Sequence, residues 1–431
     1  MTQPLKIMLV SHGYPPSETA GTERHVAALA DALRRRGHEV MVVSATRRPG
    51  GSQYARLDEG NVIRIINNIA TRPLEEAESD PIIDRLMRQI EDQFCPDLVH
   101  VHHLQFLSSS MAFDAPVVAT LHDEWAWCAS GGLGLTTDGR ACIGPSPERC
   151  APCHAAWRPQ PSRAARSLTR AARVLSPLIA PSSLHDLYKR IPPRFRPSAV
   201  SRGTPCEPPE AAAARNRSVL GWFKNTDALI VPSAHLQRKA TLNGLPGAQL
   251  IRHGVTDDWF ISPDNKAPRR GFVTLGTVSW HKGTDQVVSA FRSLDLGASE
   301  PLRIHGPVLD REAALGHPIG EVLQPSEVRA LLQSSRALVL GSRWEENAPL
   351  VVLEARAAGC PVIAPGVGGI PELVESGRDG VLADPADPAG LAQAWREFLK
   401  SPAMQPAAPP DFDGAVDAIL EAYRGVLGKR A

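Results

Sequence analysis

The chain has 431 residues, is 43% hydrophobic and 22% charged, and carries a formal net charge of +1. That balance argues against a nucleic-acid binder, and no apolar run approaches the roughly 20 residues of a membrane-spanning helix. The length calls for two or more domains with sizeable cores. Residues 1–6 lead directly into a strand without the charged head and apolar core of a signal peptide, which points to the cytoplasm. The seven cysteines would be reduced there, so a cysteine cluster suggests metal before disulfide.

In chain order, residues 6–11 read as a buried parallel strand. A loop over 12–21 follows, then a helix over about 22–36. That helix has Glu23 early, arginines late and Gly37 as its stop. Residues 39–45 form the next strand, completing the opening of a doubly wound α/β domain. Ligands of such sheets lie beyond the carboxyl ends of the strands, so Gly21 either faces the cleft or only permits the turn. Strands over 98–102 and 116–121 follow, the second ending in His122-Asp123-Glu124-Trp125. His122 is either a packed residue or a group presented to a ligand.

From 125 to 154 the pattern breaks into turns that contain Cys128, Cys142, Cys150 and Cys153. Four thiols in a segment with little core of its own fit a structural zinc site; the alternative is reduced thiols packed as small hydrophobes. Residues 155–218 form a basic helical insertion, with helical pieces near 162–175 and 183–191. Between Arg158 and Arg202 ten basic residues face one acid, Asp186. Segment 158–202 reads as a peripheral contact with anionic lipid, or as a solvated face or a site for an acidic partner. Strands over 228–232 and 249–252 complete a first domain spanning 1–264, before a proline-bearing joint.

A second strand–helix series fills 265–411. Strands fall at 272–275, 302–305, 337–340, 361–364 and 380–382, with helices at 284–293, 326–334, 349–358 and 388–399. A terminal helix within 412–431 crosses back to the first domain. The strand over 337–340 empties into a loop bearing Glu346, and Pro349 opens a helix bearing Glu354. A helix N-terminus fed by a strand binds anions, whereas carboxylates beside it suit sugar hydroxyls. Together they suggest a nucleotide sugar. Lys282-Gly283 and the glycine loop 366–372, with Gly368-Gly369, also follow strands. Three loops therefore converge on one crevice.

Glu346-Asn-Ala-Pro-Leu-Val-Val-Leu-Glu354 resembles the E-x7-E motif of the retaining glycosyltransferases of family 4. The resemblance continues through 355–364, 368–372 and 377–382, and in the first half through Pro15-Pro16, residues 20–23 and 36–40. It extends over nearly the whole chain. The joint at His122-Asp123 and the cysteine-bearing stretch resemble a bacterial subgroup linked to surface-polysaccharide assembly. The resemblance implies a GT-B fold: two Rossmann-like doubly wound α/β domains facing a deep interdomain cleft. It further implies that Glu354 holds the ribose hydroxyls and that Glu346 contacts the donor sugar. The N–H groups of Asn347, Ala348 and Leu350 would take phosphate and sugar oxygens. Lys282 would neutralise the diphosphate, and His122 would touch the transferred sugar. Gly21, Gly276 and Thr277 would border the donor.

The implied reaction is front-face transfer of a hexose-type sugar, with retention, from a nucleotide-diphosphate sugar to a lipid-linked or polysaccharide acceptor. No cofactor is implied for the chemistry. Two positions depart from the family pattern. Thr277 stands where an arginine is usual, with Arg343 or a neighbour as its substitute, and Ala20 replaces the first glycine of the acceptor loop. A transferase for a small metabolite, a nucleotide-sugar epimerase and a catalytically silent nucleotide-sugar binder are the alternatives.

Overall fold

The run Ile7-Met-Leu-Val10 is fully buried, as a parallel strand covered on both faces must be. The computed structural model describes residues 3–48, 51–68, 74, 79–157, 160–161, 199–200, 208–260 and 268–430. In the first half the elements are β1 (Lys6–Ser11), α1 (Gly21–Arg35), β2 (Glu39–Thr46), β3 (Arg56–Glu59), β4 (Val62–Ile66), α2 (Pro81–Phe94), β5 (Leu98–Val101) and β6 (Val117–Thr120). They continue with α3 (Pro147–Trp157), β7 (Gln160–Pro161), β8 (Ala199–Val200), α4 (Pro209–Lys224), β9 (Ala228–Val231), α5 (Ala234–Leu242) and β10 (Gln249–Leu250). Eight of these strands form one sheet in the order β10-β9-β6-β5-β1-β2-β4-β3, while β7 and β8 pair separately. Within the large sheet only β3–β4 pairs antiparallel.

The second half contains β11 (Phe272–Leu275), α6 (Thr284–Arg292), β12 (Leu302–His305), α7 (Pro325–Ser334), β13 (Ala337–Val339), α8 (Leu350–Ala357), β14 (Val362–Pro365), α9 (Ile370–Leu373), β15 (Gly380–Ala383) and α10 (Gly390–Lys400). Its parallel sheet has the order β12-β11-β13-β14-β15. The fold is thus α/β with two parallel-sheet domains. The last helix, α11 (Phe412–Arg430), returns to the first sheet. There Val416, Ile419 and Tyr423 pack with Ile7, Leu9, Val26 and Leu29. Each such side chain contributes about 1.5–3 kcal/mol on burial.

Two features depart from the sequence reading. Pro349 is the cap of α8, with ψ at 114°, and the helix starts at Leu350. The cysteine-bearing stretch also ends in a regular helix, α3, which contains both Cys150 and Cys153. Pro152 within it and the glycines before it hide the helix from a periodicity reading. Most of segment 158–202 lies outside the described residues. Among the described residues no helix is long and apolar enough to cross a membrane.

Sheet order positions the site. Because β11, β13 and β14 are neighbours, the loops after them leave adjacent carboxyl ends. In the first sheet β1, β5 and β6 are likewise neighbours, which brings the segments after Ser11, Val101 and Thr120 together.

Candidate active site

The loop after β11 carries Lys282, and the loop after β13 carries Glu346. Lys282 Nζ lies 2.8 Å from Glu346 Oε1, and Ser342 Oγ donates to the same oxygen at 2.9 Å. Burial pushes the Glu346 carboxyl up, but the Lys282 ammonium and the hydrogen bonds from Lys282, Trp344 and Ser342 more than offset it. The carboxyl is held below its usual range. Lys282 also lies over the Trp344 ring, 4.2 Å from its centroid, which restricts the ammonium further. The two loops touch at Gly283, whose φ is +67°. A Cβ there would collide with the Gly341 carbonyl, so only glycine allows this approach.

Glu354 lies one turn inside α8, on a side chain only 6% exposed. Burial raises its carboxyl, and Arg24, from the first turn of α1, pairs with it across the domains. Leu350 opens α8, so its N–H is one of the free groups of a helix end. Among the described residues no backbone carbonyl accepts from the N–H of Asn347 or Ala348. A cluster of unclaimed donors beside two buried carboxylates and an ammonium can hold an anion next to hydroxyl groups.

Gly276 is exposed with φ at +124°, and Thr277 follows it at the mouth of the β11 loop. Thr277 brings no charge. Arg343 does not replace it, because its guanidinium is bidentate to Asp285 at 2.6 and 2.7 Å and also donates to the Trp280 carbonyl. Gly21 is the first residue of α1, and a Cβ on it would lie 3.8 Å from Leu350 Cδ1. The two helix N-termini therefore meet across the interface.

Gly368 and Gly369 do not present an open phosphate loop. A Cβ on either would strike the carbonyls of Glu346 or Asn347, and Gly369 N donates to Glu346 O at 2.6 Å. Their role is to brace the acidic loop from below. Glu372, at the end of that motif, accepts from the N–H groups of Ala234 and His235 at 2.9 and 2.6 Å and pairs with Arg252 at 2.9 Å. It caps α5 from the other domain, a contact with no local signal in the sequence.

His122 faces inward. Its Nε2 shares a 3.0 Å hydrogen bond with His102 Nδ1, and its ring stacks with those of His102 and His253. Its carbonyl faces the second domain and accepts from Asn347 Nδ2 at 3.1 Å. His25 packs 4.2 Å from His253 and 5.4 Å from His122 between ring centroids, and His100 packs 4.0 Å from His102. Burial first, then neighbouring imidazoles, hold His102 and His122 well below the usual histidine range. Thus the His122 ring packs in a histidine cluster, and its backbone carbonyl faces the loop that carries Asn347.

The positions of the four cysteines lend no support to the zinc expectation. A zinc ion holds thiolates at about 2.3 Å, so its ligand sulfurs must crowd together. Among the described residues no three of the four thiols come within 4.8 Å of one another. Cys142 and Cys153 instead donate to the carbonyls of Gly144 and Leu135 at 3.3 and 3.1 Å. The one described group of three close ligands is Glu124, His235 and Glu345. Lys239 already bridges its carboxylates at 3.2 and 2.7 Å, which makes it an interdomain ionic network.

Comparison with known proteins agrees with this geometry. Residues 19–183 match the family described as Glycosyltransferase Family 4, and residues 269–401 match Glycosyl transferases group 1. A glycogen synthase from Mycobacterium tuberculosis is 27% identical over 93% of this chain and 87% of its own. Sucrose-phosphate synthase from Thermosynechococcus elongatus superimposes with a TM-score of 0.65 at 16% identity, over 99% of this chain and 100% of that one. Anabaena Alr3699/HepE, solved in complex with UDP and glucose, gives 0.60 at 15% identity, over 97% and 99%. The chain is a glycosyltransferase with the GT-B fold, built from a family 4 domain and a group 1 domain.

Proposed function

We propose that this glycosyltransferase moves a hexose-type sugar from a nucleoside-diphosphate sugar to a hydroxyl of a lipid-linked or saccharide acceptor, with retention at the anomeric carbon. The observation that carries this reading is the gathering of Lys282, Glu346 and Glu354 around the N-terminus of α8. Glu354 would accept the ribose hydroxyls, as a buried carboxylate with two oxygens can. The N–H groups of Asn347, Ala348 and Leu350 would hold donor oxygens, with Lys282 beside the leaving diphosphate. Glu346, ionised by its contact with Lys282, would orient the donor sugar. Charge grows on the diphosphate as the glycosidic bond breaks, so fixed donors aimed there supply the main rate term. The incoming hydroxyl would lose its proton to the departing phosphate on the same face, which gives retention.

A thermal-shift panel of UDP-, ADP-, GDP- and TDP-sugars tests the donor class. One nucleotide class is expected to raise the melting temperature by several degrees at millimolar ligand, because it binds only the native state. A flat response across the whole panel would sink the donor assignment. Once a donor is found, the anomeric coupling constant of the product checks retention.

A further inference from the structure

We infer that Arg24 is a second cation for the donor diphosphate, paired with Glu354 in this structure and released to the phosphates when the ribose takes that carboxylate. This inference rests on the donor-site reading above.

Charge in the crevice supports it. Lys282 is paired with Glu346, and Arg24 with Glu354, so these four groups are neutral together. A diphosphate adds about two negative charges. Arg343 cannot answer them, because Asp285 holds both ends of its fork. Arg24 differs from Lys282 in one respect: its carboxylate partner is the group that the ribose hydroxyls would claim. Neutral hydroxyls then satisfy Glu354, and a guanidinium is left without an anion inside a site that has just gained two. Charge-assisted bidentate contact with phosphate is the natural outcome.

The geometry permits the exchange. Side chains on a helix lean toward its N-terminus, so Arg24 sweeps the turn that begins at Gly21. That turn meets Leu350 at the start of α8, where the phosphates would lie on the free N–H groups. The guanidinium also lies 5.8 Å from the centroid of the Trp259 ring, and its side chain is 32% exposed, so it can turn without unpacking a core. The exchange ties donor binding to an interdomain contact: the arginine that bridges the domains through Glu354 would bridge them through the diphosphate instead.

The test is calorimetric titration of the full chain with UDP, ADP and GDP, then with the nucleoside of whichever diphosphate binds. Arg24→Gln is expected to weaken the diphosphate about tenfold or more, as loss of a charged hydrogen-bonding partner does. The nucleoside should bind it as well as wild type or better, because Glu354 is no longer occupied. Arg24→Lys, which keeps the charge, should recover part of the diphosphate affinity. Equal tightening of nucleoside and diphosphate in Arg24→Gln would show a plug that only competes for Glu354, and would overturn the proposal. Unchanged affinity for both would overturn it too. If wild type binds none of the three diphosphates, the donor-site reading itself fails, an outcome distinct from failure at Arg24.

Discussion

Glu346→Gln is expected to lower kcat by about 10²-fold or more, with the circular dichroism spectrum unchanged, because it removes a fixed charge from the transition-state site. Lys282→Ala should fall by a similar factor through the loss of diphosphate stabilisation. The two effects should not add. Lys282 and Glu346 share a 2.8 Å contact, and each sets the charge and position of the other. The double variant should therefore be little slower than the worse single one. Stability gives a second reading of the same pair. Lys282→Ala leaves the Glu346 carboxylate buried without its cation, so its melting temperature should drop, and adding Glu346→Gln should restore part of it. Steady-state kinetics and thermal melts of the three variants check both statements. Wild-type turnover in either single variant would remove that residue from the site.

The second large effect is on acid stability. His25, His100, His102 and His253 are buried neutral at the carboxyl ends of the first sheet, with the half-buried His122 packed against them. Burial depresses His25 to about 4, and burial with a nearby His25 charge depresses His100 to about 3. The unfolded chain takes up these protons near pH 6.5, but the folded chain does not. The neutral rings' contribution is therefore complete above pH 6.5 and is lost as pH falls toward the folded values. Each ring that the unfolded chain protonates and the folded chain does not therefore lowers stability as the pH falls below 6.5. Carboxylates with lowered values, such as Glu346 and Asp123, begin to lose their contribution only as the pH enters the ordinary carboxylate range, and lose it fully below that range. Between pH 6.5 and about 4.5 the imidazoles therefore lower stability, while Glu354 and Glu124, whose carboxyls burial raises, act in the opposite direction. Urea midpoints should fall steeply from pH 7.5 to 5.5, and His253→Gln should make that slope shallower. Equal midpoints at both pH values would contradict the buried, neutral cluster.

The second domain was the more legible half. Lys282 and Glu346 each follow a strand closely and Glu354 lies in the helix after Glu346, so their common crevice follows from local order and the doubly wound rule. The contacts that complete the site are of another kind. Arg24 is 330 positions from Glu354, and the Asn347 bond to the His122 carbonyl spans 225. Neither has a periodicity or spacing that predicts it. The sequence of Gly368-Gly369 leaves its role open, because glycines serve both exposed ligand loops and close backbone packing. Only the carbonyls of Glu346 and Asn347 packed against them show which one applies.

The histidines illustrate the same limit. His12, His102, His103 and His122 all stand visibly at strand ends, yet their clustering depends on β6, β5 and β1 being neighbours in the sheet. Residues 46–97 also carry local signals. Asp80 accepts from the N–H groups of Ile82 and Ile83, and Pro81 opens the helix that follows. The strand Val62–Ile66 was obscured by Arg64, which is buried because it donates to the carbonyls of Tyr14 and Pro15 and pairs with Glu59.

If the crevice at the N-terminus of α8 holds a nucleoside diphosphate with its ribose on Glu354, calorimetric titration of Glu354→Ala beside wild type will show it, using the nucleoside diphosphate that the thermal-shift panel selects. Wild type is expected to bind, and the variant to bind about tenfold or more weakly with its fold retained. Equal affinity in the two proteins would remove Glu354 from the ribose site.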